Sequence, residues 1–339
     1  MQIIYTPRHR GHATDAVQID GVPFASEEVP VRTEAILDAL RAARMGPVVS
    51  PTDHGIDLIL AVHDAGFVDF LQTAHARSAA YFGEAGPVFV WTPAPRGAAR
   101  KPHGFMGQKG YYAFGWGTPI LEGTWEAAYW SAQCALTAAD VVNAGEMAVY
   151  ALCRPPGHHA TADLFGGFCY LNNAAVAARY LQQSGRRVAI LDVDYHHGNG
   201  TQSIFYSDPT VLYCSIHAHP DDAFPYFWGG CEERGEGQGK GTNFNYPLRP
   251  EIGIADYVDA LEDALAQVSA FGADVLVLCV GFDIGVGDPL GGFDFSTDNI
   301  AAIAQAIADR AWPTLIVQEG GYWPAKLGEQ ALAFLGPFA

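Results

Sequence analysis

Positive charge is scarce in this 339-residue chain: 19 Lys and Arg stand against 37 Asp and Glu, a formal net charge of −18. So acidic a surface repels nucleic acid and offers no basic footprint for it. It can draw cations toward a cleft, or simply keep the protein dispersed. Long hydrophobic runs are also missing. No stretch of about 18 uninterrupted apolar residues occurs, so no membrane span is expected. The beginning, Met1 to Pro7, reads as a first strand and lacks the basic-then-apolar pattern of a signal peptide. Six cysteines are scattered with no Cys-x-x-Cys pair, which predicts buried thiols in a reducing cytoplasm, not a disulfide framework. There is no Gly-x-Ser-x-Gly elbow and no His-Glu-x-x-His, and the glycine-dense run 235–241 is not followed by Lys-Ser/Thr as a phosphate loop would be. Internal repeats and low-complexity tracts are absent.

What the chain does have is alternation of strand-like and helix-like runs, the pattern of a parallel sheet with crossover helices. Strands are predicted at 2–5, 147–153, 187–194, 210–216, 274–281 and 314–318. Helical periodicity falls at about 33–44, 56–80, 124–145, 172–184, 254–270, 297–311 and 325–335, one of them opened by the capping sequence Ser296-Thr297-Asp298. Residues 82–122 and 218–250 are long and irregular, as functional lids, binding loops or interface pieces are. Neither looks like a linker, so one domain over 1–339 is expected, with 82–122 as an insertion.

Four apolar runs end in chemistry-bearing residues: Cys153-Arg-Pro-Pro-Gly-His158-His159, Asp192-Val-Asp194-Tyr-His196-His197-Gly-Asn199, Val280-Gly-Phe-Asp283 and Glu319-Gly-Gly-Tyr322. In open α/β sheets ligands bind beyond the carboxyl ends of the strands, so these segments are expected to meet. Alternation along a continuing strand would put Asp192, Asp194 and His196 on one face. Two buried aspartates there would repel unless something cationic lay between them. Asp194 and His196 suit a divalent metal of the zinc kind, Asp283 is the natural third ligand, and the open positions would take water and a substrate oxygen. One of His158 and His159 could accept a proton while the other stabilises charge, with Asp192 and Asn199 as orienters. A Tyr322 hydroxyl aimed at the site could donate to an oxyanion. Phe168 and Phe224 suit either channel walls or plain core.

These motifs, in this order, resemble the zinc-dependent histone deacetylase superfamily, nearest to its bacterial acetylpolyamine amidohydrolases and close to class II deacetylases. The resemblance rests on RPPGHHA from Arg154, GGFCYLNNAA from Gly166, DVDYHHGNGTQ from Asp192, FD and GDPLGG between Phe282 and Gly292, and EGGY ending at Tyr322. It implies the open arginase–deacetylase fold, α/β with a largely parallel eight-stranded sheet flanked by helices. It implies Asp194, His196 and Asp283 as zinc ligands, and His158 and His159 as the catalytic pair with His159 as general base and acid. Tyr322 would polarise the carbonyl, Asp192 and Asn199 would partner the histidines, and Phe168 and Phe224 would wall the channel. It further implies structural potassium at the carbonyls of Asp192, Asp194 and His196 with the Ser215 hydroxyl, a second potassium near Phe205, and a homodimer through the insertion. Fe2+ or Co2+ could replace zinc in such a ligand set.

The expected activity is therefore removal of an acetyl or short acyl group from a primary amine, with acetylpolyamines first among substrates. Certain positions depart from the polyamine pattern: Met106 and Gly117 stand where acidic residues of the insertion are expected, and Leu290 follows Asp288-Pro289. Three alternatives follow. A protein acetyl-lysine deacetylase would share the site. A two-manganese ureohydrolase would need another carboxylate where Gly285 stands. A non-catalytic acyl-amine binder would have no use for the full residue set.

Overall fold

Eight short runs pair side by side into one wholly parallel sheet: β1 Gln2–Ile4, β2 Val48–Val49, β3 Ala148–Ala151, β4 Val188–Asp192, β5 Val211–Ala218, β6 Asn243–Leu248, β7 Val275–Val280 and β8 Thr314–Gln318. The order across the sheet is β2-β1-β3-β8-β7-β4-β5-β6. The computed structural model describes residues 1–339 except 17, 20, 21, 24, 25 and 96–99. Residues Gln18–Ile19 and Val22–Pro23 form a separate antiparallel ribbon.

Both faces of the sheet are covered, which is why its strands read as continuous apolar runs. In β7, Val275, Val277 and Cys279 enter one core while Leu276, Leu278 and Val280 enter the other. The helices are α1 Val31–Ala42, α2 Asp57–Leu60, α3 Ala65–Phe82, α4 Phe105–Tyr111, α5 Thr124–Asn143, α6 Asn173–Gln183, α7 Asn199–Phe205, α8 Ile254–Phe271, α9 Thr297–Ala308 and α10 Pro324–Leu335. Helices α3, α5 and α6 pack on the first face, and α1, α8, α9 and α10 on the second.

Local signals explain where the elements begin. Ser296 caps α9 by accepting a hydrogen bond from the Asn299 amide. Asp64 does the same for α3 with Gly66 and Phe67, so the helix expected over 56–80 breaks into α2 and α3 at that cap. The irregular stretch 218–250 contains β6, which the sequence reading missed. Its two fully inward residues are Asn243 and Asn245, so no apolar alternation marks it. Helix α7 was hidden for the same reason, since much of its buried face is Asn199, Thr201 and Gln202. The two-residue β2 is too short to leave a pattern, and α4 lies unannounced inside the insertion. All six cysteines are free, with only Cys231 exposed. Among the described residues no helix is long and apolar enough to cross a membrane.

Candidate metal centre and catalytic cleft

The strand order places the site. The chain lays β3, jumps across to build β4, β5 and β6, then returns to insert β7 and β8 in the gap. These four strands, adjacent as β3-β8-β7-β4, end at one edge. From those ends come the loops carrying His158 and His159, Tyr322, Asp283, and Asp194 with His196. This reversal of winding is where ligands bind in such sheets.

Asp194, His196 and Asp283 each turn one donor atom inward, all within 4.8 Å of one another. His196 Nδ1 lies 3.3 Å from Asp194 Oδ1 and 3.1 Å from Asp283 Oδ2. Backbone amides hold the outer lone pairs: Gly320 donates to Asp194 Oδ2 at 2.7 Å and Tyr195 to Asp283 Oδ1 at 3.1 Å. Both carboxyls are fully buried. Burial pushes Asp283 up, the Asp194 charge adds to this, and its carboxyl sits at about 7. Burial opposes charge on His196 too, yet its two carboxylate neighbours prevail and raise it to about 10. Two buried carboxylates held together by one imidazolium proton are a donor set that a divalent cation would satisfy better, displacing that proton. The residues fit a metal of the zinc class. Glycines make room: a Cβ on Gly281 would stand 2.0 Å from Asp194 Oδ2, and one on Gly320 2.1 Å from Asp283 Oδ2.

The tandem histidines sit in different fields. His158 Nδ1 meets Asp192 Oδ2 at 3.0 Å, and its Nε2 is 3.9 Å from Asp194 Oδ1. Burial disfavours its charge, but Asp192 and Asp194 outweigh burial and lift it to about 10. His159 Nδ1 meets Asn199 Oδ1 at 2.8 Å. Burial, then the charges of His158 and His196, drive His159 well below its ordinary value. An amide oxygen only accepts, so Nδ1 carries the hydrogen and Nε2 of a neutral His159 keeps its lone pair. The rings lie 4.1 Å apart. Their turn is pinned by Glu319, whose Oε2 accepts from the Gly157 and His158 amides at 2.6 and 3.1 Å.

A cavity of about 500 Å3 opens over this floor. His159, His196 and Tyr322 line its base, Phe168, Phe224 and Leu290 its walls, and Trp116, Gly117, Asp222 and Tyr226 also line it. Among the described residues no lysine or arginine lines it. Phe224 stands edge-on to His159 with centroids 4.8 Å apart, and Phe168 lies 5.6 Å from Tyr322. The Tyr322 hydroxyl has no hydrogen-bond partner among the described residues, while its ring rests on Arg32, whose guanidinium carbon is 4.4 Å away.

Arg32 was missed in the sequence, where nothing in α1 marks it. It is buried, donates to the Glu319 carbonyl at 2.8 Å and also to that of Gly321, and pairs with Glu28 at 2.8 Å. Glu28, fully buried, also receives both arms of Arg154 at 2.7 and 3.0 Å, and His12 Nε2 is 3.6 Å away. Arg154 could have been found, since it opens the Pro-Pro-Gly-His-His turn. Asp222 and Tyr226 were visible only as part of an irregular loop. Met106 corrects an expectation: it is 41% exposed and does not line the cavity. It sits in the first turn of α4, a helix whose buried residues are Phe105, Lys109 and Gly110. Ser215 Oγ meets His217 Nδ1 at 2.8 Å, and Phe205 lies under the Arg179 guanidinium at 4.5 Å.

The histone deacetylase domain family matches residues 26–336. Acetylpolyamine amidohydrolase 1 of Pseudomonas aeruginosa is 42% identical over 99% of this chain and 98% of its own. Acetylpolyamine amidohydrolase of Mycoplana ramosa is 42% identical over 97% and 96%. The crystal structure of acetylpolyamine aminohydrolase from Burkholderia pseudomallei superposes with a TM-score of 0.93 at 40% identity, covering 100% of this chain and 98% of that one.

Proposed function

This chain belongs to the histone deacetylase family, and we propose that within it the protein hydrolyses the amide of small acetylated amines, acetylpolyamines above all. One observation carries the reading: Asp194, His196 and Asp283 converge at the base of a cleft that also presents a neutral His159 and the Tyr322 hydroxyl. Those three side chains would hold one divalent ion, zinc by family habit, with Fe2+ or Co2+ as possible substitutes. When bound, such an ion supplies Lewis acidity toward a carbonyl and toward water.

The remaining work falls to the chain's own groups. His159 Nε2 accepts the proton of the attacking water, and Asn199 keeps the ring in the tautomer that allows it. The same nitrogen returns the proton to the leaving amine, so water and amide become acetate and free amine. Charged His158, anchored by Asp192, lies close enough to favour negative charge growing in the cleft. Tyr322 donates its hydroxyl to the carbonyl oxygen as that oxygen gains charge. Arg32 beneath the ring fixes where the hydroxyl points.

Substrate choice belongs to the mouth. Met106, Gly117 and Leu290 bring no acid there, but the Asp222 carboxylate does, beside the rings of Trp116 and Tyr226. Asp222 Oδ2 is paired with Arg249 at 2.6 Å, which leaves Oδ1, in a cavity that aromatic rings also line, to suit the distal ammonium of a slender amine. Structural potassium would fit near Ser215, because the carbonyls of Asp194 and His196 accept no hydrogen bond among the described residues. The free thiols fit a reducing cytoplasm, and the insertion is the natural contact for a homodimer. The test is a turnover panel of acetylputrescine, acetylspermidine and acetyl-lysine peptides with metal content measured alongside. Faster turnover of the free amines is expected, and Asp222→Asn should raise their KM with little change in kcat. A preference for peptides would refute the polyamine reading.

A further inference from the structure

The turn that carries Tyr322 has little grip of its own. Gly320 and Gly321 precede the tyrosine, Gly321 at φ 106°, and the Trp323 side chain makes no cap for α10. Carbonyls of this turn are held by Arg32 and by Gln318, whose side-chain amide donates to the Gly320 oxygen at 2.8 Å. Its backbone amides go elsewhere. Gly320 donates to Asp194, and Tyr322 donates to Asp288 Oδ2 at 2.5 Å.

Asp288 comes from another segment, the loop between β7 and α9. It is 9% exposed and does not itself line the cavity. Its other oxygen, Oδ1, accepts from the Leu290 amide at 3.0 Å, and its carbonyl accepts from Gly291 at 3.3 Å. Leu290 and Gly291 do line the cavity. One carboxylate thus ties the turn bearing the hydroxyl to the loop bearing a wall. The two segments also pack together one residue earlier, where a Cβ on Gly287 would stand 2.4 Å from the Trp323 ring.

Aspartates commonly bond the backbone two residues on to shape their own loop. That accounts for Oδ1 and the Leu290 amide but leaves the reach of Oδ2 to Tyr322 unexplained. The Tyr322 hydroxyl has no partner among the described residues, so ring and backbone alone set where it stands. We propose that Asp288 is a positioning residue for hydrolysis, holding the Tyr322 backbone so that the hydroxyl meets the developing oxyanion. This rests on the deacetylase reading and on the part given there to Tyr322.

The experiment uses the metal-loaded protein with acetylputrescine, metal content being measured in every form. Asp288→Ala should lower kcat about tenfold or more and move KM less than about twofold, since small misplacements near the chemistry are costly. Asp288→Asn keeps one acceptor oxygen and should recover part of that rate. In a Tyr322→Phe background, Asp288→Ala should cost less than about twofold more, because residues acting through one group are not additive. Hydrogen exchange supplies a readout apart from turnover: the Tyr322 amide should exchange faster in Asp288→Ala, and the Gly320 amide at its wild-type rate. If Asp288→Ala does not fold, Asp288→Asn carries the same cycle and the same exchange measurement. An unchanged or raised kcat, a loss confined to KM, or a full further loss on top of Tyr322→Phe would each overturn the proposal. Tyr322→Phe at the wild-type rate would instead sink the reading of Tyr322, and the positioning role with it.

Discussion

Glu28→Gln removes one charge and almost no volume, so its effect isolates the electrostatics beneath the cleft. The wild-type carboxylate accepts two hydrogen bonds from Arg154 and one from Arg32, with all three side chains at most 3% exposed. A glutamine oxygen in the place of Oε1 can still accept from Arg32 Nη1 and Arg154 Nε, but its NH2 then faces the Arg154 Nη2 donor. Two arginines then share a buried space with no counter-charge. Breaking a buried ion pair by removing one partner typically costs about 3–5 kcal/mol. For a chain of this length, where each kcal/mol moves the midpoint by about 2 °C, that is a fall in Tm of roughly 6–10 °C. The control is Glu126→Gln, which cuts the Arg8–Glu126 pair whose side chains are 49% and 55% exposed. There the loss should stay below about 1 kcal/mol. Differential scanning calorimetry and urea denaturation read both. Because Arg32 also supports the Tyr322 ring, Glu28→Gln should lower kcat in the fraction that stays folded. A Tm within about 2 °C of wild type would refute the argument, as would a control equally damaged.

Tyr322→Phe should keep its metal and its Tm, since the lost hydroxyl has no protein partner, yet kcat should fall by about 10²–10³. Turnover within a few-fold of wild type would remove that role. Asp194→Ala should lose metal by elemental analysis more severely than the roughly 10–100-fold weakening usual for an outer hydrogen-bond partner. Retention of one tightly held ion per chain would count against the ligand set. Acid stability tests the cluster around Glu28. Burial, then the Arg154 charge, holds His12 down to about 3, and the two arginines overcome burial to hold Glu28 at about 2. Below about 6.5 the unfolded chain takes up the His12 proton first, and below about 4.5 the Glu28 proton, while the folded protein binds neither. The contribution of this cluster should thus be constant above about pH 6.5 and fall beneath it, and His12→Asn should lessen the slope between about pH 5 and 6.5. Urea midpoints that do not change from pH 7 to 5 would contradict this.

Residues that act through side-chain chemistry at a strand end were readable in the sequence because strand and motif are adjacent there. His158, Asp194, Asp283 and Tyr322 each follow an apolar run within a few residues. What could not be read were contributions from afar. Glu28 and Arg32 lie more than a hundred positions before the groups they support, and only folding brings them together. Strand β6 and helix α7 escaped because they bury asparagine, threonine and glutamine, so periodicity of apolar residues was the wrong signal. Their polar faces serve one another: Gln202 Oε1 accepts from Asn243 and Asn245 at 2.9 and 2.8 Å. Met106 was misplaced because a position in a motif does not say which way a short helix turns.

The winding of the sheet has a consequence for how the protein comes into being. Asp194 and His196 are synthesised early, on a strand that at first has an open flank. Only when residues 275–280 and 314–318 slide into that gap do Asp283 and Tyr322 arrive to complete the cleft. A nascent chain therefore has half a chelating site and a bare strand edge until nearly the whole polypeptide has left the ribosome. Such an edge invites mispairing, and its late closure by distant segments slows folding. Supply of the metal during translation should do little for yield, whereas slowing aggregation over the last hundred residues should do much.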